Sequence, residues 1–207
     1  MEHANPSLRA QRADATRDRI LHAAFLEFFR QAFQGGNLSR IIAAAGITKG
    51  GLFHHFAGKT ELGYAVVDEV IGPLLATRWV DPVADTDDPI PALQAAYRRH
   101  AESDLDSGHW VYGCPLNNLA QEMAPLDAGF HARINGLYDR WREAWAAALE
   151  RGQGAGTVKR SVSPPAVAAF LVASQMGIWG TGKSSQNRPA MLQATQGVCD
   201  YLETLKP

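Results

Sequence analysis

Apolar residues return along almost the whole chain at the spacing of an α-helix, and β-branched alternating runs are absent. Ile20, Ala24 and Phe28 mark one stripe, with Leu21, Phe25 and Phe29 beside it. Breakers divide the pattern at Gly35-Gly36, Gly46, Gly58, Pro82 to Pro91, Gly108, Gly152 to Gly156 and Gly182 to Pro189. The helices so delimited cover about 15–33, 38–45, 49–55, 59–79, 90–106, 115–123, 127–151, 164–181 and 188–205. Helices of these lengths joined by short connections form a bundle. With 207 residues there is room for a small head on a larger helical body. The expected fold class is all-α, with the head in 1–58 and the body in 59–207.

Composition narrows the class further. Hydrophobic residues make up 46% and charged residues 20%, as in a globular and not a disordered chain. No run approaches the ~18 apolar residues of a membrane span. Met1 to Thr16 is polar and lacks the apolar core of a secretory signal. No membrane partner and a cytoplasmic location are expected. Cys114 and Cys199 match no metal spacing and no disulfide scaffold. Residues 1–60 carry eight Lys/Arg against four Asp/Glu, whereas the remainder is net acidic. A basic end on an acidic body suits a protein with one phosphate-facing surface.

Leu38–Phe56 reads LSRIIAAAGITKGGLFHHF. A short helix ends in three alanines, and Gly46 supplies the residue that closes a tight turn. Thr48 can cap the helix that follows, while Ile47 and Leu52 can pack it back on the preceding helices. This is the plan of a helix-turn-helix, whose second helix enters the major groove of double-stranded DNA. The groove-facing set is Thr48, Lys49, Gly51, Phe53, His54 and His55. Gly50 and Gly51 together cost a helix roughly 1 kcal/mol each relative to alanine, a cost that close approach to a phosphate backbone would explain. His54 and His55 point about 100° apart on a helix and cannot share a metal ion as an i,i+4 pair would.

From Thr16 to about Ile71 the chain resembles the TetR family of repressors. The matching residues are Thr16, Ile20, Ala23-Ala24, Phe28-Phe29, Phe33, Ile41, Ala45 to Gly50, Leu52 to Phe56, Lys59 and Leu62. The family pattern is roughly A-G-V-S-K-G-T-L-Y-H-Y-F-x-x-K-E-x-L. Phe53 stands where tyrosine is usual, Gly51 replaces Thr or Ser, His55 replaces an aromatic, and Ala32 replaces a glycine after the first helix. Gly36-Asn37 replaces the usual Thr-Ser cap, although Asn37 can still cap. The resemblance implies a three-helix DNA-binding head, a C-terminal effector-binding and dimerisation domain, and a homodimer that binds an inverted-repeat operator. It places Arg40, Thr48, Lys49, Gly50, Gly51, Leu52, Phe53, His54, His55 and Lys59 at the DNA.

The body carries no G-x-S-x-G, H-E-x-x-H, P-loop or G-x-G-x-x-G. No catalytic residue, cofactor or metal is therefore expected, and a helical enzyme is the remote alternative. His100 and Asp104 stand i,i+4, with His109 and His131 beyond, a scatter typical of surface or satisfied core groups. Trp110, Trp141, Trp145, Met176 and Trp179 either fill a core or bound a cavity between helices. Gly113 to Glu122 resembles a G-C-x-x-x-N-L-x-x-E motif of one TetR branch, in which some members sense electrophiles or oxidants through the cysteine. This nominates Cys114, with Asn117 and Asn118, for the effector site. Cys114 precedes Pro115 at a helix start, where the partial positive charge favours thiolate; the alternative is a small packing residue. Cys199 reads as packing.

The last two helices carry apolar or small residues that the resemblance places at a four-helix interface between two copies: Phe170, Ala173 and Gly177 on one, Met191, Ala194, Val198 and Leu202 on the other. The same stripes could instead cover the core of one subunit. The expected function is a DNA-binding regulator, a repressor released by a small-molecule or reactive effector. An activator, or a regulator with a vestigial effector site, is the alternative.

Overall fold

A computed structural model describes residues 8–207, with side chains from residue 14 onward apart from those of 104 and 105. The side chains of Arg9 and Arg12, and the pairing of Asp104 with His100, lie outside the described residues. No strand occurs among the described residues. Residues up to Ile71 form one compact unit and Gly72–Pro207 a second.

The first unit contains α1 (Leu8–Gly35), α2 (Leu38–Ala45), α3 (Lys49–His55) and α4 (Lys59–Val66), followed by a π-helical stretch over Val67–Ile71. Local chemistry sets the short helices. Asn37 caps α2 by accepting the Ser39 N–H at 2.8 Å, and Thr48 caps α3 by accepting the Gly51 N–H at 3.1 Å. Between them Gly46 sits at φ +63°, and the N–H groups of Gly46 and Ile47 bond the last carbonyls of α2. The core joins Ile20, Ala24 and Phe28 of α1 to Ile41 and Ala45, to Leu52 and Phe56, and to Leu62 and Val66. Each large apolar side chain so buried contributes about 1.5–3 kcal/mol. Because Leu62, Val66 and Val67 belong to this core, the unit reaches Ile71, beyond the 58/59 boundary read from the sequence.

The second unit opens with α5 (Gly72–Leu75), a π-helical stretch over Ala76–Val80 and a 3-10 turn at Asp81–Val83. It continues through α6 (Pro89–Ser107), a 3-10 turn at His109–Tyr112, α7 (Pro115–Met123), α8 (Ala128–Ala155), α9 (Pro164–Ser185) and α10 (Arg188–Glu203). The 59–79 segment, expected as one helix, changes register on either side of Gly72-Pro73. Proline offers no N–H to the helical ladder, and such loosened turns accommodate the loss. Asp127 and Asn187 cap α8 and α10 through the N–H groups of Phe130 and Ala190, at 2.9 and 3.1 Å. α8 packs along α9, and α10 along both α9 and α6. No helix among the described residues is long and apolar enough to cross a membrane.

An aromatic cluster centres the second unit. Trp79 stacks on Trp141 with ring centroids 5.2 Å apart, and Tyr97 and Trp145 pack on Trp79 at 5.4 and 6.0 Å. The Trp145 indole N–H donates to the Trp79 carbonyl at 2.6 Å, and the Tyr97 hydroxyl to the Leu171 carbonyl at 2.7 Å. Trp141 and Trp145, read from the sequence as core or cavity wall, are both core. Met191, Val198 and Leu202 depart from the interface expectation: they are 4%, 7% and 0% exposed inside their own unit. A helical stripe reports that a face is covered but not by what. The outward faces of α9 and α10 carry Phe170, Ala173, Gly177 and Ala194 instead, joined by Leu192 and Gly197.

α1 bends at Ala32, whose φ of 61° and ψ of 169° fall in a region essentially reserved for glycine. Here the family's usual glycine has a physical reason, and alanine stores strain of roughly 1–3 kcal/mol. Ala32→Gly should therefore stabilise the protein, by about 1 kcal/mol after the added chain entropy of glycine. Chemical denaturation should show a higher midpoint with an unchanged slope; a lower midpoint would show the bend to be unstrained.

Candidate functional sites: the recognition helix and a cavity in the helical body

On α3, Thr48, Lys49, Gly50, Phe53 and His54 are exposed, Gly51 and His55 are half-buried, and Leu52 is fully buried. The helix thus offers solvent one face carrying a hydroxyl, an ammonium, an aromatic ring and an imidazole. Leu52, placed at the DNA by resemblance, serves the core. Phe53 is 44% exposed, unusual for a large apolar side chain and suited to a surface covered on binding. His55 lies 5.3 Å from His54, ring to ring. Burial first, then the neighbouring His54 and Arg17, hold its pKa below the ordinary histidine value.

Two cations assigned to DNA are already engaged. Arg40 bonds Glu27 at 2.7 Å through Nε and donates to the Gly35 carbonyl at 3.1 Å. Glu27 also accepts the Asn37 N–H at 2.9 Å. Burial pushes the Glu27 carboxyl up, but Arg40 and that N–H outweigh it, and its pKa lies below the usual value. Lys59 donates to the Gln34 carbonyl at 3.0 Å and sits 5.0 Å over the Phe33 ring. Lys49 makes no ion pair with a described residue and is exposed at the first turn of α3. Arg17, absent from the sequence reading of the site, braces the unit by bonding Glu69 at 2.5 and 3.0 Å and lying over Phe56 at 4.5 Å. A lone arginine in an amphipathic helix gives no sequence signal for such a partner 52 residues away.

In the second unit a cavity of about 40 Å³ is lined by Arg78, Trp79, Gly113, Cys114, Pro115, Gln175, Met176 and Trp179. Of the residues nominated from sequence, Cys114, Met176 and Trp179 meet here. Cys114 is half-buried at the N-cap of α7, next to Pro115. Asn118 ties the chain together instead, donating to the Tyr112 carbonyl at 2.8 Å and accepting from Lys183 at 3.2 Å. Trp110 and Asn117 are half-buried outside the cavity wall. Arg78, Trp79 and Gln175 were missed because two belong to a stretch read as ordinary helix and the third is a lone polar residue in an apolar run. Cys199 is buried, and burial raises its thiol pKa. Among the described residues no group of three His, Cys, Asp or Glu could hold a metal ion.

A capped helix with an exposed basic face, held by a tight turn to a helix beneath it, defines a helix-turn-helix DNA-binding protein. The family model described as "Bacterial regulatory proteins, tetR family" matches residues 20–66, and "Tetracyclin repressor-like, C-terminal domain" matches 89–198. The chain belongs to the TetR family of transcriptional regulators and is not an enzyme. It is 26% identical over 166 residues to the HTH-type transcriptional repressor DhaR of Mycobacterium sp. (strain GP1), covering 80% of this chain and 81% of that protein. A TetR transcriptional regulator from Chloroflexus aurantiacus shares the fold, with TM-score 0.82 and 24% identity over 95% of this chain and 98% of that one. So does the protein of a SmeT–triclosan complex, with TM-score 0.75 and 19% identity over 91% and 90%.

The different commitments of Lys49 and Lys59 separate their expected phenotypes. Lys49→Ala should leave stability within about 0.5 kcal/mol and reduce the salt dependence of DNA binding by about one unit of log slope. Lys59→Ala should lower the unfolding midpoint, because the bond to the Gln34 carbonyl and the contact over the Phe33 ring are lost. Paired unfolding curves and salt titrations check this; equal salt-slope losses without destabilisation of Lys59→Ala would place Lys59 at phosphate.

Proposed function

We propose that this regulator is a homodimeric repressor of an inverted-repeat operator, released when a small or reactive molecule occupies the cavity of its second unit. The exposed face of α3 carries the reading. In this reading Lys49, exposed at the capped start of the helix, meets a phosphate, and Thr48, Gly51 and His54 meet base edges in the major groove. Such a protein works among DNA, which favours a cytoplasmic location. Repression is supported by the likeness to DhaR, named a repressor. A small-molecule effector is supported by the likeness to SmeT, whose complex contains triclosan. Release needs only an effector that binds the DNA-incompetent state more tightly than the competent one, by the factor to be lost in operator affinity.

The outward faces of α9 and α10 suit self-association. Phe170 and Leu192 are 49% and 41% exposed, and the exposed Ala173, Gly177, Ala194 and Gly197 permit close helix approach. DNA selected from a random pool should contain an inverted repeat with half-site centres ~34–36 Å apart or a multiple of that spacing. Phe170→Glu should yield a monomer by light scattering at micromolar concentration and lower operator affinity by tenfold or more. A monomeric unsubstituted protein, or selection of an asymmetric single site, would remove the dimer from this reading.

Cys114 is the reactive position on the cavity wall. It is half-buried on the cavity wall, whereas Cys199 is buried and burial raises its thiol pKa. With iodoacetamide, the thiolate sulfur forms a bond to the methylene carbon as iodide leaves. Mass spectrometry should show Cys114 labelled at least tenfold faster than Cys199, with operator DNA released in parallel. A Cys114→Ser protein should keep its DNA under the same treatment. Equal, slow labelling of both cysteines would leave Cys114 as a packing residue and the cavity as a site for non-covalent ligands alone.

A further inference from the structure

On α3, His55 belongs neither to the core nor to the fully exposed face. Leu52 and the capping Phe56 turn into the unit, whereas Phe53 and His54 face solvent. At 100° per residue His55 falls between those two sets, at the edge of the groove-facing surface and one turn after Gly51. Gly51 contributes no side chain, so the half-buried imidazole is the first side chain on that flank of the helix. A helix lying in the major groove has base edges beneath it and a phosphate backbone along each flank. His55 is therefore placed for a phosphate and not for a base.

The charge around this ring is one-sided. The titratable and charged groups that face it are His54, 5.3 Å away ring to ring, and Arg17 of α1, whose guanidinium lies over Phe56 at 4.5 Å. Phe56 itself packs 6.4 Å from the imidazole. The carboxylates of the neighbourhood hold other groups. Glu69 of the π-helical stretch bonds Arg17 at 2.5 and 3.0 Å, and Glu61 of α4 accepts the Ala57 N–H at 2.5 Å. Burial, then His54 and Arg17, disfavour a positive charge on His55 in the free protein. A phosphate backbone reverses that balance, because an anion beside the ring favours imidazolium, which donates from both nitrogens. A proton disfavoured before binding and favoured after it is taken up on binding. Affinity then rises as pH falls through the range between the ring's free and bound pKa values.

We propose that His55 is a proton-linked phosphate contact, protonated when α3 meets DNA, so that this regulator holds DNA more tightly as its medium turns acid. This rests on the reading of α3 as the helix that enters the major groove, and it adds a condition to that contact. The aromatic residue usual at this position in the family pattern has no proton to exchange near neutral pH.

Phosphate contact carries no sequence information, so a short DNA duplex of arbitrary sequence at low salt is a sufficient probe. Full-length protein titrated onto the labelled duplex, followed by fluorescence anisotropy at constant ionic strength, should gain affinity about tenfold or more from pH 8 to pH 6, since a shift of one pKa unit on one ring is a factor of ten. His55→Tyr should still bind at pH 8 and should lose most of that gain. His55→Gln should behave alike, which keeps the test open if the tyrosine variant fails to fold by circular dichroism. Calorimetry at pH 7 in two buffers of different ionisation heat should count a net uptake of protons on binding, smaller in His55→Tyr. A merely structural role for His55 would lower affinity at every pH and leave the gain intact. A gain that survives His55→Tyr and vanishes in His54→Gln would put the proton on His54, and equal affinity at both pH values would make His55 a neutral contact; each of these three results overturns the proposal. No DNA binding at any pH would remove the reading of α3 itself, and the proposal with it, which separates the two failures.

Discussion

The carboxylate of Glu27 is the joint on which the DNA-facing geometry depends. It projects from α1 and takes both the backbone N–H of Asn37 and the side chain of Arg40. One bond fixes the residue that caps α2, and the other fixes the first turn of that helix. Because Gly46 then leaves α2 through a left-handed turn with two backbone bonds, the direction of α3 follows from that of α2. A chain of short-range constraints, each about 1 kcal/mol, thereby carries orientation from the long helix to the seven-residue recognition helix. A helix that short is unstable alone; its conformation comes from Thr48 at one end and the buried Leu52 and Phe56 at the other.

This arrangement assigns the basic residues different work. Charge near a DNA-binding helix invites assignment to phosphate, yet Arg40, Lys59 and Arg17 each hold protein groups. Their engagement keeps the unit rigid and leaves Lys49 as the uncommitted cation of α3. The positive character of the head still reaches a phosphate backbone through space, because a guanidinium beside one carboxylate is only locally neutralised. Long-range attraction and local positioning are thus supplied by overlapping sets of residues.

Much of this was legible in the sequence, for definite reasons. Helical periodicity, Gly46 and the caps Asn37 and Thr48 are local signals, and α2, α3 and α7 fall where those signals place them. The ends of α1 and α8 were less legible because polar turns extend a helix without periodic apolar residues. The π-helical stretches beside Pro73 depend on how the backbone absorbs a missing donor, which no pattern of side chains encodes. Stripe reading failed most clearly on α10: Met191, Val198 and Leu202 have the spacing of an interface and the burial of a core. At the cavity, Cys114 was marked by its motif, whereas Arg78 and Gln175 become visible only once the Ala76–Val80 stretch, the start of α7 and α9 bring distant residues around one space.

The two units differ in how completely they satisfy their own polar groups, and this difference follows their tasks. In the first unit the caps, Glu27, Lys59 and Arg17 bond groups of the same unit, as a rigid reader of a rigid groove requires. In the second, the Trp141 N–H is buried without a partner and the Tyr138 hydroxyl donates to the Met176 sulfur. Local inconsistency of this kind is expected where a protein keeps capacity for something not yet bound. A ligand that met such groups from outside would stabilise the liganded state relative to the empty one. Such differential stabilisation is the thermodynamic requirement for an effector to act on DNA affinity at a second site.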